Sequence, residues 1–288
     1  MKSLTIALSI ILSVISPVGA QQSNQSPLSA ASSPPVTPVF ERAIVTEQNV
    51  SRAKELEAGF LARSQSEAPA GHQWFEVIEA SSPSVRVLVL APHATSHMRQ
   101  GKLQQADSGT GSLAEMLHQL AGVPVIATTY ESPSDPNYYD DNEFKKAVAD
   151  LVGRIKPAVV LDLHASHWYR PYDVDLGTMH GTSVKGQGVL IRELGERLKA
   201  EGLSNVSQDY FAADTNQTDT KWVSNLGFPA MQCEISISWL LSGEPDTDAT
   251  NVNWGQRLNE HRFAQVLQAL VRFIQQVDEE HKVSAEKQ

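Results

Sequence analysis

A single cysteine in 288 residues leaves no partner for an intrachain disulfide, so the fold must rest on its core and not on cross-links. Basic residues are in deficit, 23 Lys and Arg against 33 Asp and Glu, for a formal net charge of -10 at neutral pH. With no basic run either, nucleic acid is not an expected partner. Long hydrophobic runs are also missing. The most continuous, Leu4–Ile15, is too short for a comfortable membrane span. The lone thiol, Cys233, sits inside an apolar strand-like run, where inert burial is expected rather than a nucleophilic role.

What the N-terminus does have is the pattern of a secretory signal. Lys2 supplies the positive region, Leu4–Ile15 the apolar core, and Val18-Gly19-Ala20 small residues for cleavage. Residues 1–20 are therefore expected to be removed and the mature chain, from about Gln21, to be secreted or periplasmic without a membrane span. Loss of Lys2 would bring the net charge to -11. No cysteine follows the cleavage site, which argues against a lipid anchor. Residues 21–38, rich in Ser, Gln and Pro, lack an apolar period and are expected to be a disordered leader. Residues 39–280 are expected to form a single α/β domain, and 281–288 a frayed tail.

Within the domain, apolar runs alternate with amphipathic stretches. Trp74–Ala80, Val85–Ala91, Val123–Thr129, Ala158–Leu163, Asn205–Phe211 and Phe228–Ile237 read as strands. Helices are expected within Val39–Arg63, over Leu113–Leu120 with Ser112 as N-cap, over Asn142–Lys156 and Val189–Glu201, over Thr218–Leu226, and from Trp254 to Val277. This order predicts a mixed, mostly parallel sheet flanked by helices. His93–Asp107 and His167–Gly188 read as long loops, the kind that carry function.

Two buried strands each deliver a histidine near their C-terminal ends, His93 and His164, where ligands gather in open α/β sheets. Catalytic zinc takes three protein ligands and keeps one position open. Asp107, in the loop leaving His93 and ahead of a helix start, is the expected third ligand. Asp162, two residues before His164 and on the same strand face, can instead orient an imidazole. His97 and His167 each follow a proposed ligand by a few residues and can be supporting or alternative ligands. Glu234 sits in a strand-like run between Cys233 and Ile235. Burial there raises a carboxyl pKa, as suits a general base that takes a proton from water near neutrality. His180, in Gly177–Gly181, fits a turn better than a substrate contact. Trp168, Tyr169 and Tyr172 serve equally as cavity walls or as core.

Several short motifs occur in the order seen in N-formylglutamate amidohydrolases: Ala91-Pro-His-Ala94, the Asp107 loop, Ser134-Asp-Pro-Asn137, Leu161-Asp-Leu-His164, Asp175-Leu-Gly-Thr178 and Gln232-Cys-Glu-Ile235. From about Val85 to Leu240 the chain resembles that family, whose members look like distant relatives of zinc carboxypeptidases. The resemblance implies a carboxypeptidase-like hydrolase fold, with His93, Asp107 and His164 as zinc ligands and Glu234 as the base. It also places Asn137 among the substrate-binding residues. Where the family typically carries Asn-Arg, this chain has Asn137-Tyr138. Arg170 or Arg99 can replace that arginine as a bidentate partner for a substrate carboxylate.

The expected activity is hydrolysis of an amide C–N bond in an N-acyl amino acid or short peptide. A carboxypeptidase or cell-wall peptide amidase is the enzymatic alternative. A ligand-binding protein with a degenerate site is the alternative from another class.

Overall fold

The structure, a computed structural model, describes residues 43–241 and 254–286. The expected signal and leader lie outside the described residues. The first helix, α1 (Glu47–Arg63), is opened by a capping box in which Thr46 and Asn49 satisfy each other's backbone donors. Strand β1 (Phe75–Ile78) and β2 (Val87–Ala91) follow, then the short β3 (His97–Arg99) and β4 (Lys102–Gln104). Helix α2 (Thr110–Ala121), β5 (Val125–Thr128), α3 (Glu143–Ile155), β6 (Val159–Ser166) and β7 (Val174–Gly177) come next. The chain continues with α4 (Gly188–Ala200), β8 (Val206–Gln208), α5 (Asp219–Asn225), β9 (Ala230–Ser236) and α6 (Trp254–Glu286).

Seven strands form one sheet in the order β1-β5-β2-β6-β9-β7-β8. The inner strands β5, β2, β6 and β9 run parallel, as do β7 and β8, while β1 pairs antiparallel with β5 and β7 antiparallel with β9. This is the mixed, mostly parallel α/β sheet that the alternation predicts. Every residue of β2 is buried, because successive side chains feed two separate cores. Val87, Val89 and Ala91 join the cluster that includes Leu113, Leu117, Leu194 and Phe273 from α2, α4 and α6. Leu88 and Leu90 face Phe144, Val148 and Leu151 of α3 and Val223 of α5. Cys233 is buried in the first cluster, and burial pushes its thiol pKa well above the ordinary value.

Four local expectations change. The stretch after His93 is not all loop, because Gln100 and Gly101, both at positive φ, close a tight turn between β3 and β4. The stretch after His167 holds β7, whose strand character was hidden by a polar residue at its centre. There the buried Asp175 carboxylate accepts from Ser207 Oγ and from the Tyr210 and Phe211 amides. Helix α6 continues to Glu286, through most of the expected frayed tail.

The fourth change concerns the start of α2. Its N-cap is Gly109, not Ser112, and no side chain of its own caps it. The cap comes from α1 instead. The buried Glu57 carboxylate accepts from Gly109 N at 2.9 Å and from Ser112 Oγ at 2.8 Å. Gly109 has φ of 91°, and a Cβ there would meet Leu240 Cβ at 2.8 Å, so the turn accepts only glycine. The buried face of α1 therefore includes a carboxylate. Glu57 points inward with Phe60, while Leu61 is exposed.

Burial raises the Glu57 pKa to about 7 against these hydrogen bonds. A raised carboxyl favours the folded state below its ordinary pKa and loses that contribution as pH climbs through about 7. Urea unfolding should therefore show stability falling from pH 5 to pH 8 by up to ~3 kcal/mol from this group. Glu57→Gln should remove that part of the decline. Glu57→Ala, which strands the buried Gly109 N–H and leaves the Ser112 hydroxyl only Gly109 O at 3.2 Å, should cost about 1–3 kcal/mol at pH 5.

Candidate metal centre

Strands β2 and β6 are neighbours, so the chain leaving one and the end of the other bring His93 and His164 together. Their ring centroids lie 4.8 Å apart. Asp107 arrives from the segment before α2 with its backbone fixed at both ends. Its amide donates to His93 O at 2.7 Å, and its carbonyl accepts from Thr110 N and Thr110 Oγ1. The Asp107 Oδ2 atom lies 3.0 Å from His164 Nδ1 and 3.4 Å from His93 Nδ1. One donor atom from each of the three residues falls within 4.8 Å of the others.

The far side of each imidazole faces a second carboxylate. His93 Nε2 is 2.8 Å from Asp135 Oδ1, and His164 Nε2 is 3.2 Å from Asp162 Oδ1. Both aspartates are fully buried and held in turn. Asp162 Oδ2 accepts from Thr220 N and Oγ1 of α5. Asp135 Oδ1 accepts from Asn137 N, and its Oδ2 from Arg99 Nε. At His93 the hydrogen bond to Asp135 fixes a proton on Nε2 and leaves Nδ1 facing Asp107. At His164 the hydrogen bond is instead between Nδ1 and Asp107 Oδ2, and Asp162 acts on Nε2 through its charge, outside hydrogen-bond geometry. Two ring nitrogens and a carboxylate oxygen then converge on one point with buried anions behind both rings, an arrangement that calls for positive charge among them.

The proton equilibria show the same demand. Burial alone would lower the His93 pKa, but Asp107 and Asp135 outweigh it and push it up to about 9. His164 is likewise raised well above its ordinary value, burial being overcome by Asp162 and Asp107. Burial would raise Asp107 and Asp135, yet the imidazoles hold both below the usual carboxylate range. Two imidazole nitrogens and one carboxylate oxygen, each imidazole backed by an acid, fit a divalent ion of the zinc type with a position left open.

A second triplet, His93, His97 and Asp135, also has its donors within reach of one another. There the positive charge is already supplied. The Arg99 guanidinium binds Asp135 through Nε and approaches His97 Nε2 at 3.5 Å through Nη2. His97 stacks on His93 with centroids 3.9 Å apart and planes 9° from parallel. Burial, followed by the charge on His93, lowers the His97 pKa to about 3. His97 is thus a neutral support for the His93 ring.

Glu234 lies on β9, in register with His164 of β6 on one side and Asp175 of β7 on the other. Gln232 Nε2 donates to its Oε1 at 2.7 Å. Burial raises its pKa to about 7, with His164 pulling down and Asp107 and Asp162 pushing up. It lines a cavity of about 270 Å³ together with His93, Asp107, His164, Arg99 and Asn137. The Asn137 side chain is anchored there by accepting from Asp219 N at 2.7 Å.

Of the two arginines weighed for a substrate carboxylate, the structure brings Arg99 to the site. Its guanidinium stacks 5.3 Å from the centroid of Tyr138, the residue standing where the resemblance expects arginine. Arg170 lines neither cavity at the metal donors. It rests on the rings of Tyr169, Tyr210 and Phe211. His167 is exposed and stacks on Tyr169. His180 is exposed in a positive-φ turn beside Asp214. Trp168 and Tyr169 are exposed, whereas Tyr172 is core. Asp135 was missed from sequence as a functional residue. Its only local signal was the Asp-Pro-Asn turn, which binds Asp135 Oδ1 to Asn137 N.

If the outer carboxylates orient the imidazoles, Asp135→Asn and Asp162→Asn should each weaken zinc binding by about 10–100-fold. A competitive chelator titration measures this. Affinities equal to wild type in both variants would disprove the outer-carboxylate role.

No family model and no curated protein matches this sequence. Among solved structures, the chain is similar to N-formylglutamate amidohydrolase from Ralstonia eutropha JMP134, at 14% identity over 70% of this chain and 98% of that one, TM-score 0.49. It is similar to a Zn-dependent exopeptidase from Parabacteroides distasonis, at 12% identity over 80% and 99% of the two chains, TM-score 0.46. A bacteriophage poly-gamma-glutamate hydrolase aligns at 13% identity over 75% and 93%, TM-score 0.45.

Proposed function

We propose that the protein is a zinc-dependent hydrolase of an amide C–N bond, acting on N-acyl amino acids or short peptides. The observation that carries this reading is one cavity wall on which an open N,N,O donor set stands beside a carboxyl group with a pKa of about 7.

His93, Asp107 and His164 would hold the zinc. When bound, the ion would polarise the substrate carbonyl and lower the pKa of water towards ~7. Glu234 takes the proton of the attacking water and passes it to the leaving nitrogen, a transfer suited to a carboxyl poised near neutrality. Gln232 keeps that carboxyl in place through its 2.7 Å hydrogen bond. Arg99, about one-third exposed and lining the cavity, binds a carboxylate at the end of the substrate. Asn137, on the same wall, contacts the amino-acid half. The signal-like N-terminus supports an exported enzyme, whose substrates would then be acylated amino acids and peptides outside the cytoplasm.

Zinc should appear by elemental analysis, and hydrolysis of N-acyl amino acids should stop when it is chelated. Glu234→Gln should keep the zinc and lose about 10²–10⁴-fold in kcat. In the wild type, kcat/KM should fall on the acid side with an apparent pKa no higher than about 7, because a nearby dication stabilises the carboxylate. Amide cleavage that survives both chelation and Glu234→Gln would refute the proposal.

A further inference from the structure

Two cavities meet at the metal donors. The smaller, about 270 Å³, and the larger, about 560 Å³, share His93, Asp107, Arg99 and Ala165 as walls. Only the smaller is lined by Glu234, with the polar side chains of Asn137, Gln232 and Thr218. Only the larger is lined by Leu103 of β4, Ala106 and Ile237, which form an aliphatic strip among polar neighbours, His97, Gln104, Gln105, Ser166 and His167. Leu103 is 45% exposed, an aliphatic side chain held against open space by the short hairpin.

A group that both deprotonates water and protonates the departing nitrogen must lie within hydrogen-bond reach of each. The amine half of the substrate therefore belongs on the Glu234 side, in the smaller, polar cavity. The acyl half extends the other way from the carbonyl carbon, into the larger cavity. A formyl group has only hydrogen beyond that carbon and would leave the Leu103 and Ile237 surface uncovered.

We propose that the substrate carries an aliphatic acyl chain of several carbons, seated in the larger cavity against Leu103 and Ile237. This rests on the amide-hydrolase reading and assigns its acyl specificity. Selection comes from burial of methylene groups on exposed aliphatic surface, worth about three- to fourfold per methylene at full burial.

The test uses the full-length, zinc-loaded protein with N-formyl-, N-acetyl- and N-hexanoyl-alanine. It adds calorimetric binding of the acetyl and hexanoyl compounds to the chelated, zinc-free protein. The hexanoyl compound should exceed the acetyl compound by about tenfold or more in kcat/KM. It should also bind the zinc-free protein more tightly, with a negative heat-capacity change. Leu103→Asp should collapse both ratios. Val283→Asp, at an exposed apolar residue of α6 that lines neither cavity, should preserve them. Cleavage that is fastest for the formyl compound, with no chain-length effect on binding, would overturn the acyl assignment and leave the hydrolase reading intact. No cleavage at any length, with the binding ratio preserved and sensitive to Leu103→Asp, would sink the hydrolase reading and support the aliphatic ligand.

Discussion

The structure depends on a charge imbalance that it does not resolve by itself. Two imidazoles point their Nδ1 atoms at one carboxylate oxygen of Asp107, and each has a buried aspartate at its back. Neutral imidazoles with Nε2 protonated would set lone pairs against a carboxylate in a region of low dielectric. Such an arrangement persists only with added positive charge, from protons or from a metal ion. The neighbouring triplet around Asp135 shows the other solution, because Arg99 supplies the charge covalently. The contrast separates a donor group whose positive charge comes from its own arginine from one, around Asp107, with no such residue bound to its carboxylate.

The fold explains why these groups can be held so close. Parallel strands β2 and β6 lie side by side and release their histidines at the same end of the sheet. Asp162 and His164 share a face of β6 because strand side chains alternate, and α5 covers that face with the Thr220 donors that hold Asp162. Asp107 depends on more distant parts of the chain. Glu57 of α1 binds the turn at Gly109 that leads on from it, and Leu240 Cβ and the Leu241 backbone close over the same turn. A loop carboxylate is thereby held between α1 and α2.

Much of this was legible in the sequence, for definite reasons. Buried parallel strands leave continuous apolar runs, so β2 and β6 were plain, and with them the positions of His93 and His164. Asp107 followed from its place before a helix, and Asp162 from the period of two. Glu234 was visible as a carboxylate inside an apolar run. Asp135, Glu57 and β7 were not legible, because each depends on partners far along the chain. The carboxylate of Asp175 is satisfied by residues 207–211, and that of Glu57 by residues 109 and 112. A polar residue in a strand or on a helix face reads as exposed until its distant donors are known. The choice between Arg99 and Arg170 was closed to sequence for the same reason, since both follow a histidine strand and only packing separates them.

The position of Arg99 has a consequence for how the site works as a unit. Asp135 accepts from Arg99 through one oxygen and contacts His93 through the other. The Arg99 guanidinium and the His93 imidazole therefore share one buried anion. On the proposed reading, a carboxylate bound to Arg99 would compete with Asp135 for the guanidinium and leave Asp135 a stronger acceptor for His93 Nε2–H. That would strengthen the electron-donating character of the opposite ring nitrogen, the one directed at Asp107. With Tyr138 stacked against Arg99 and Asp135 bound to it, the proposed substrate anchor and the proposed ligand His93 would be joined through a single side chain, Asp135.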